Sequence, residues 1–202
     1  MRSGAARGRE ENEIEFARIV AFSDGVFAIA ITLLVLNLSV PEHIQGDNLT
    51  TVLWEQRQDL FAYGLSFAVI GRFWLVHHRF FRDVTGFDNR LLTVNLFYLA
   101  WIVLIPFSSQ VLGDHGGDTG AIVLYAGNLA GVILVGNLMF GDARRAGLSK
   151  ISVEEAAENR RRSLIIAAVF LASIPIALID AHAAQFFWLV LVLLALLERL
   201  RS

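Results

Sequence analysis

Six apolar stretches, roughly Ala17–Leu38, Leu60–Phe80, Leu91–Leu112, Ala121–Phe140, Ser163–Ile179 and Ala183–Leu197, divide this chain of 202 residues. A helix crosses the hydrocarbon core of a bilayer with about 20 apolar residues, and the first four stretches meet that length. Inside a membrane the backbone must satisfy its own hydrogen bonds, which leaves helices or closed barrels; apolar runs this long are helices. The last two stretches are shorter and are separated by Asp180, Ala181 and His182. Joined, they make a helix of about 35 residues, too long for one span, so a tight hairpin at the membrane surface is expected. The chain is expected to be all-α and integral to the membrane, a single domain over 1–202 with six transmembrane helices and a polar tail over 1–15. The apolar stretch after the tail shows no small-residue cleavage site, so it is expected to be a retained helix and not a signal peptide.

The charges agree with this division. Hydrophobic residues make up 55% and charged residues 18%, against about a quarter charged in soluble domains. A net charge of -2 and the lack of a basic face with interleaved aromatics argue against nucleic acid as a partner. With no cysteine there is no disulfide, thiolate metal site or thiol nucleophile. All of the 17 basic residues except Arg57 and Arg72 fall in alternate connections or at the termini. Lys and Arg stay on the cytoplasmic side, so both termini are expected there. On the opposite side lie a polar loop from His43 to Asp59, with Trp54 as an interfacial anchor, and the turn Gly113–Gly120. Ser152, three residues before Glu155, forms a capping box expected to open a short cytoplasmic helix within 148–162.

Several polar residues interrupt the spans at one common depth: Asp24 on the first helix, Arg72, Trp74 and His77 on the second, Asn95 on the third and Asn137 on the fourth. Polar groups within a span face a partner or a water-filled path, so this belt is expected inside the bundle. It has the makings of an interhelical hydrogen-bond network or, through Asp24 and His77, of a proton relay. His77 and His78 are adjacent, so they point about 100° apart on a helix and make a poor metal pair. No Ser-His-Asp set, HExxH or aspartate pair supports an enzyme.

The first helix opens on Arg18-Ile-Val-Ala-Phe22-Ser23-Asp24, an RxxxFSD motif. Phe73-Trp74-Leu75-Val76-His77-His78-Arg79 follows on the second, then Asn95-Leu96 and Pro106-Phe107. In this order the chain resembles the prokaryotic branch of the TMEM175 family of potassium channels. The resemblance implies a multi-pass protein of the bacterial inner membrane. It also implies a homotetramer in the lipid bilayer, with helix 1 lining a central pore for K+ and no cofactor. The family has no TVGYG filter and neither does this chain; large aliphatic residues narrow the pore instead. By position the constriction falls on Ile29, with Leu33 and Leu36 farther out and Thr32 at a position tied to selectivity. Arg18, Ser23, Asp24, Arg72, Trp74, His77 and Asn95 are expected to form the polar network holding helix 1. Arg72 departs from the uncharged residue expected there, and pairing with Asp24 or with a carboxylate of an adjacent subunit is its expected outlet.

The helical wheel is compatible with this. At 100° per residue Gly25, Ile29, Leu33 and Leu36 lie within about 80° of one another. Asp24 points roughly 140° away from Ile29, and Thr32 lies about 60° to one side. Arg18 falls near the stripe and away from Asp24. In an arbitrary membrane protein such a stripe means helix packing; the motif makes it a pore lining. A proton-permeable channel and a secondary transporter using the Asp24/His77 belt remain as alternatives, the latter without a visible inverted repeat.

Overall fold

The computed structural model describes residues 2–38 and 49–191. Within them the chain folds into eight α-helices: α1 (Arg2–Leu33), α2 (Leu49–Glu55), α3 (Arg57–Asp83), α4 (Asn89–Val103), α5 (Ile105–His115), α6 (Thr119–Arg145), α7 (Val153–Ala177) and α8 (Ala181–Phe187). Four continuous rods are long and apolar enough to cross a membrane: Asn12–Asn37, Arg57–Asp83, Asn89–His115 and Thr119–Arg145. They coincide with the first four expected spans, each extended by a few residues of polar flank. Of the last two expected spans, Ser163–Ile179 falls on the C-terminal two thirds of α7. Ala183–Leu197 begins in α8 and runs past the described residues.

Local chemistry explains the ends and interruptions. The third rod breaks at Leu104, between α4 and α5, because Pro106 has no N–H to complete the helical ladder. Asp88 caps α4 by accepting the Leu91 N–H at 2.7 Å, and Asp180 caps α8 by accepting from His182 and Ala183. Asp180 thereby makes the expected hairpin turn.

Ser152 is the N-cap of the helix, with the Glu155 N–H donating to its hydroxyl at 3.1 Å. The helix it opens is not a short one. Nothing in 153–177 stops propagation before Pro175, so the loop helix and the fifth apolar stretch are one continuous α7. In its first turns Arg161 and Arg162 donate to the Glu158 carboxylate at 2.8–3.0 Å, and these bonds hold its carboxyl down at about 2.

α6 is the central post, packed against α4, α5, α7 and α8, while α1 lies against α3, α4 and α5. Membrane helices gain little from hydrophobicity on packing, so close backbone approach matters. Gly131 of α6 supplies one such approach: a Cβ there would sit 2.5 Å from the ring of Trp101 on α4. Gly131→Val is therefore expected to cost about 1–3 kcal/mol through overpacking, read as a lower unfolding midpoint of the detergent-solubilised protein. An unchanged midpoint would mean that the Trp101 ring swings aside freely.

On one side of the membrane the α3–α4 and α6–α7 connections are clipped together. Val84 and Ser149 form an antiparallel bridge, Thr85 N–H donates to Leu148 O at 2.8 Å, and Lys150 N–H donates to Asp83 O at 3.0 Å. Gly147, at φ 71°, turns the chain into this clip, a conformation that costs a side-chain-bearing residue roughly 1–2 kcal/mol.

Candidate functional site: the two faces of the first helix

α1 carries two chemically different faces. Ser23, Phe27, Ala30 and Leu34, spaced four, three and four residues apart, are buried against the rest of the chain. The other face is open: Phe22 is 55% exposed, Ile29 59%, Leu33 38% and Leu36 74%. Gly25 and Thr32 lie exposed between them. The chain by itself therefore leaves an almost wholly apolar stripe on its most hydrophobic rod uncovered. Gly25 has open space beyond its missing Cβ. The Thr32 hydroxyl donates to Ile29 O at 2.9 Å, which ties the two residues within one turn.

The C-terminal end of α1 changes geometry. Residues Leu34–Asn37 form a 3-10 turn, and the Asn37 amide donates to Pro106 O at 3.1 Å. The tip of α1 is thus fastened to the beginning of α5, close to the break in the third rod.

Behind the stripe a directed hydrogen-bond chain fixes α1 to α3 and α4. Ser23 Oγ donates to Ile19 O at 3.0 Å and so is left to accept from the Asn95 amide, also at 3.0 Å. That assignment turns Asn95 Oδ1 towards His77, whose Nε2 stands 2.9 Å away and must carry the proton. The network thus selects the Nε2–H tautomer of His77. Aromatic rings close around it: Tyr98 stacks on the imidazole at 5.4 Å with the planes 14° apart, and Phe81 and Phe27 lie at 4.6 and 5.3 Å. His77, Asn95 and Ser23 are all almost wholly buried.

A second tie lies alongside: the Trp74 indole N–H donates to Asp24 Oδ1 at 2.8 Å. Trp74 in turn lies against His78, ring centres 5.5 Å apart. Of the remaining expected members of this network, Arg18 and Arg72 are exposed on the subunit.

Asn137 does not join the belt. It donates to Ile133 O at 2.9 Å and accepts from Ser163 of α7 at 3.0 Å, because its azimuth on α6 faces α7 and not α1. A further buried polar cluster was not anticipated. Ser66 bonds Ser109 at 2.8 Å and the Tyr125 hydroxyl at 2.9 Å, and Asn128 donates to Ser108 at 3.0 Å. Its signal was present as hydroxyls at Ser66, Ser108 and Ser109 inside apolar runs. Phe22 was also passed over as a member of the stripe, although the wheel places it about 20° from Ile29.

A family model described as endosomal/lysosomal potassium channel TMEM175 matches residues 18–106, the part that holds the C-terminal half of α1 with its bonds to α3 and α4. A potassium channel of Streptomyces collinus is 41% identical over 101 residues, half of this chain and 49% of that protein. A potassium channel of Chamaesiphon minutus is 36% identical over 137 residues, 65% of this chain and 68% of that protein. The alignment thus spans about half of the first relative's length and about two thirds of the second's. In structure, the crystal structure of a lysosomal potassium-selective channel TMEM175 homologue from Chamaesiphon minutus superposes with a TM-score of 0.79 at 28% identity. That superposition covers 91% of this chain and 97% of that one.

Proposed function

Since the chain belongs to the TMEM175 family, a family of multi-pass membrane channels, we propose that it forms a potassium-selective, leak-type channel in the bacterial inner membrane. The whole chain acts as one six-helix domain with both termini cytoplasmic. Four copies surround a central axis, and α1 of each turns its open face to that axis. The observation that carries this reading is the division of α1 into a buried, hydrogen-bonded back and an exposed aliphatic front. A subunit that exposes such a stripe while anchoring the opposite side so firmly is built to present it to something fixed. Around an axis, Ile29 forms the neck, Leu33 and Leu36 the outer lining, and Phe22 the inner one.

An ion passing an apolar neck gives up part of its hydration shell. Potassium parts with water more readily than sodium, so the neck favours potassium, and the Thr32 hydroxyls beside it replace some of the lost oxygen contacts. The Ser23–Asn95–His77 chain and the Asp24–Trp74 bond hold α1 in azimuth, so that the same side chains always meet at the axis. Arg18 stands at the inner mouth. Arg72, exposed at the level of Trp74, is offered to Asp24 or to a carboxylate of an adjacent subunit.

The test is the bi-ionic reversal potential of protein in liposomes, with potassium on one side and sodium on the other. It is expected to move towards the potassium equilibrium potential, by about 59 mV for each tenfold of selectivity. Zero current in vesicles shown to contain inserted protein would reject the channel.

A proton-permeable channel is the second reading. A relative from Danio rerio, 36% identical over 102 residues and matching 20% of that protein's length, is named an endosomal/lysosomal proton channel. The burial of His77 behind α1, with its Nε2–H committed to Asn95, favours a structural role for it over a relay. Proton flux that survives His77→Phe in an otherwise conducting protein would agree with that role.

A further inference from the structure

We infer that the cavity between the beginning of α4 and the end of α6 binds the phosphate of an anionic phospholipid headgroup. The cavity holds about 260 Å³ and is lined by Asp88, Arg90, Leu91, Asp142, Arg145 and Ala146. Its depth follows from the spans: one begins at Asn89 and another ends at Arg145. Both guanidinium groups therefore stand where hydrocarbon gives way to headgroups, whichever side of the membrane this is.

The geometry is that of two aligned forks. Asp142, with its side chain 9% exposed, accepts Nε and Nη2 of Arg90 at 2.9 and 3.2 Å, and Nη2 of Arg145 at 2.8 Å. Arg145 Nε is spent on Gly141 O at 3.3 Å. Each guanidinium is thus gripped along one edge, while both arginine side chains stay 70% exposed. The Nη1 edge of each is left over, and a guanidinium offers donors alone.

Asp142 is engaged by three N–H groups, and one oxygen of Asp88 accepts the Leu91 N–H at the positive end of α4. What the cavity has to spare is donor capacity, and its complement is an oxyanion. A lipid phosphate is present at this depth at all times, whereas a soluble phosphate would have to be recruited. The pairing of Arg161 and Arg162 with Glu158 provides the contrast, two arginines on one carboxylate along a single helix turn.

The inference rests on the chain being embedded in a membrane and not on its conducting ions. Full-length protein is exchanged into equal amounts of phosphatidylcholine and phosphatidylglycerol, and retained lipid is counted by native mass spectrometry. The wild type and R161Q/R162Q are expected to retain phosphatidylglycerol by at least about fivefold over phosphatidylcholine, and R90Q/R145Q to fall to parity. R90K/R145K keeps the charge without the fork and is expected to fall between them. The idea is overturned if R90Q/R145Q keeps the full preference, or if R161Q/R162Q loses as much. Displacement of the lipid by millimolar inorganic phosphate would equally overturn it, by assigning the cavity to a soluble anion. Because lipid retention is read without current, a silent channel that keeps the preference leaves this inference standing.

Discussion

Replacing Ile29 by Asn is expected to raise potassium current by roughly 30-fold and to move the bi-ionic reversal potential towards zero. In the proposed tetramer one substitution places four amides around the axis where four aliphatic side chains stood. If each returns about 0.5 kcal/mol of the hydration that the ion sheds, the low end for a net hydrogen bond, the barrier falls by about 2 kcal/mol, a rate factor near 30. Sodium gains more than potassium, because it gave up more strongly held water at the apolar ring. Selectivity therefore falls as current rises. The position is well suited to the test: Ile29 is 59% exposed on the subunit, so the substitution does not disturb the packed back of the helix. Single-channel conductance and reversal potential, both unaltered, would remove Ile29 from the neck.

The second large effect is expected at Asn95. Leucine repeats the branched outline of asparagine with bulkier methyl groups, so Asn95→Leu keeps the site filled and removes both bonds that Asn95 of α4 makes, to Ser23 of α1 and to His77 of α3. The Nε2–H of His77 is then left without its acceptor inside an aromatic shell, while Ser23 keeps its own bond to Ile19 O and loses only the incoming Asn95 amide. In soluble proteins a stranded buried polar group costs about 1–3 kcal/mol; interhelical bonds in membranes average about 0.6 and reach about 1.7 kcal/mol. The loss of two such bonds places the expected destabilisation at about 1–3 kcal/mol. A double-mutant cycle with His77→Phe makes this sharper. Once the imidazole is absent, Asn95→Leu should cost clearly less, because the stranded Nε2–H no longer exists. Strict additivity of the two substitutions would show that His77 and Asn95 are independent, and the directed chain would have to be abandoned.

The parts of this architecture that were legible in the sequence are those governed by one helix at a time. Span length and flanking charge identified four rods, since apolar length is a property of a segment by itself. The periodicity of α1 separated Ile29 from Asp24 for the same reason. Depth arithmetic put Asp24, Arg72, Trp74, His77, Asn95 and Asn137 at one level, and within that set Trp74 bonds Asp24 and His77 bonds Asn95. It could not tell which neighbour each would meet, and so Asn137, at the right depth on the wrong side of α6, was grouped with them although it bonds Ser163. The capping box at Ser152 was read correctly as a start; where that helix ends depends on the absence of any interruption before Pro175, and charge clustering concealed it. The clip between Val84 and Ser149 joins connections 65 residues apart through backbone atoms, and backbone pairing between loops leaves little side-chain pattern. The cavity at Arg90 and Arg145 was invisible for a related reason. Each arginine was counted as topology, and their convergence on Asp142 exists only once α4 and α6 stand side by side.

The 3-10 turn at the tip of α1 has a mechanical consequence. A 3-10 helix advances 120° and about 2.0 Å per residue, where an α-helix advances 100° and 1.5 Å. Across the four residues Leu34–Asn37, a change from one winding to the other amounts to about 80° of torsion and 2 Å of length. Leu36 rides on that segment, directly above Leu33 in the tighter winding and about 60° aside in the looser one. The outer end of the helix therefore works as a screw thread whose pitch sets where a leucine stands. The bond from Asn37 to the Pro106 carbonyl, at the break of a different rod, and the buried Leu34 hold the thread.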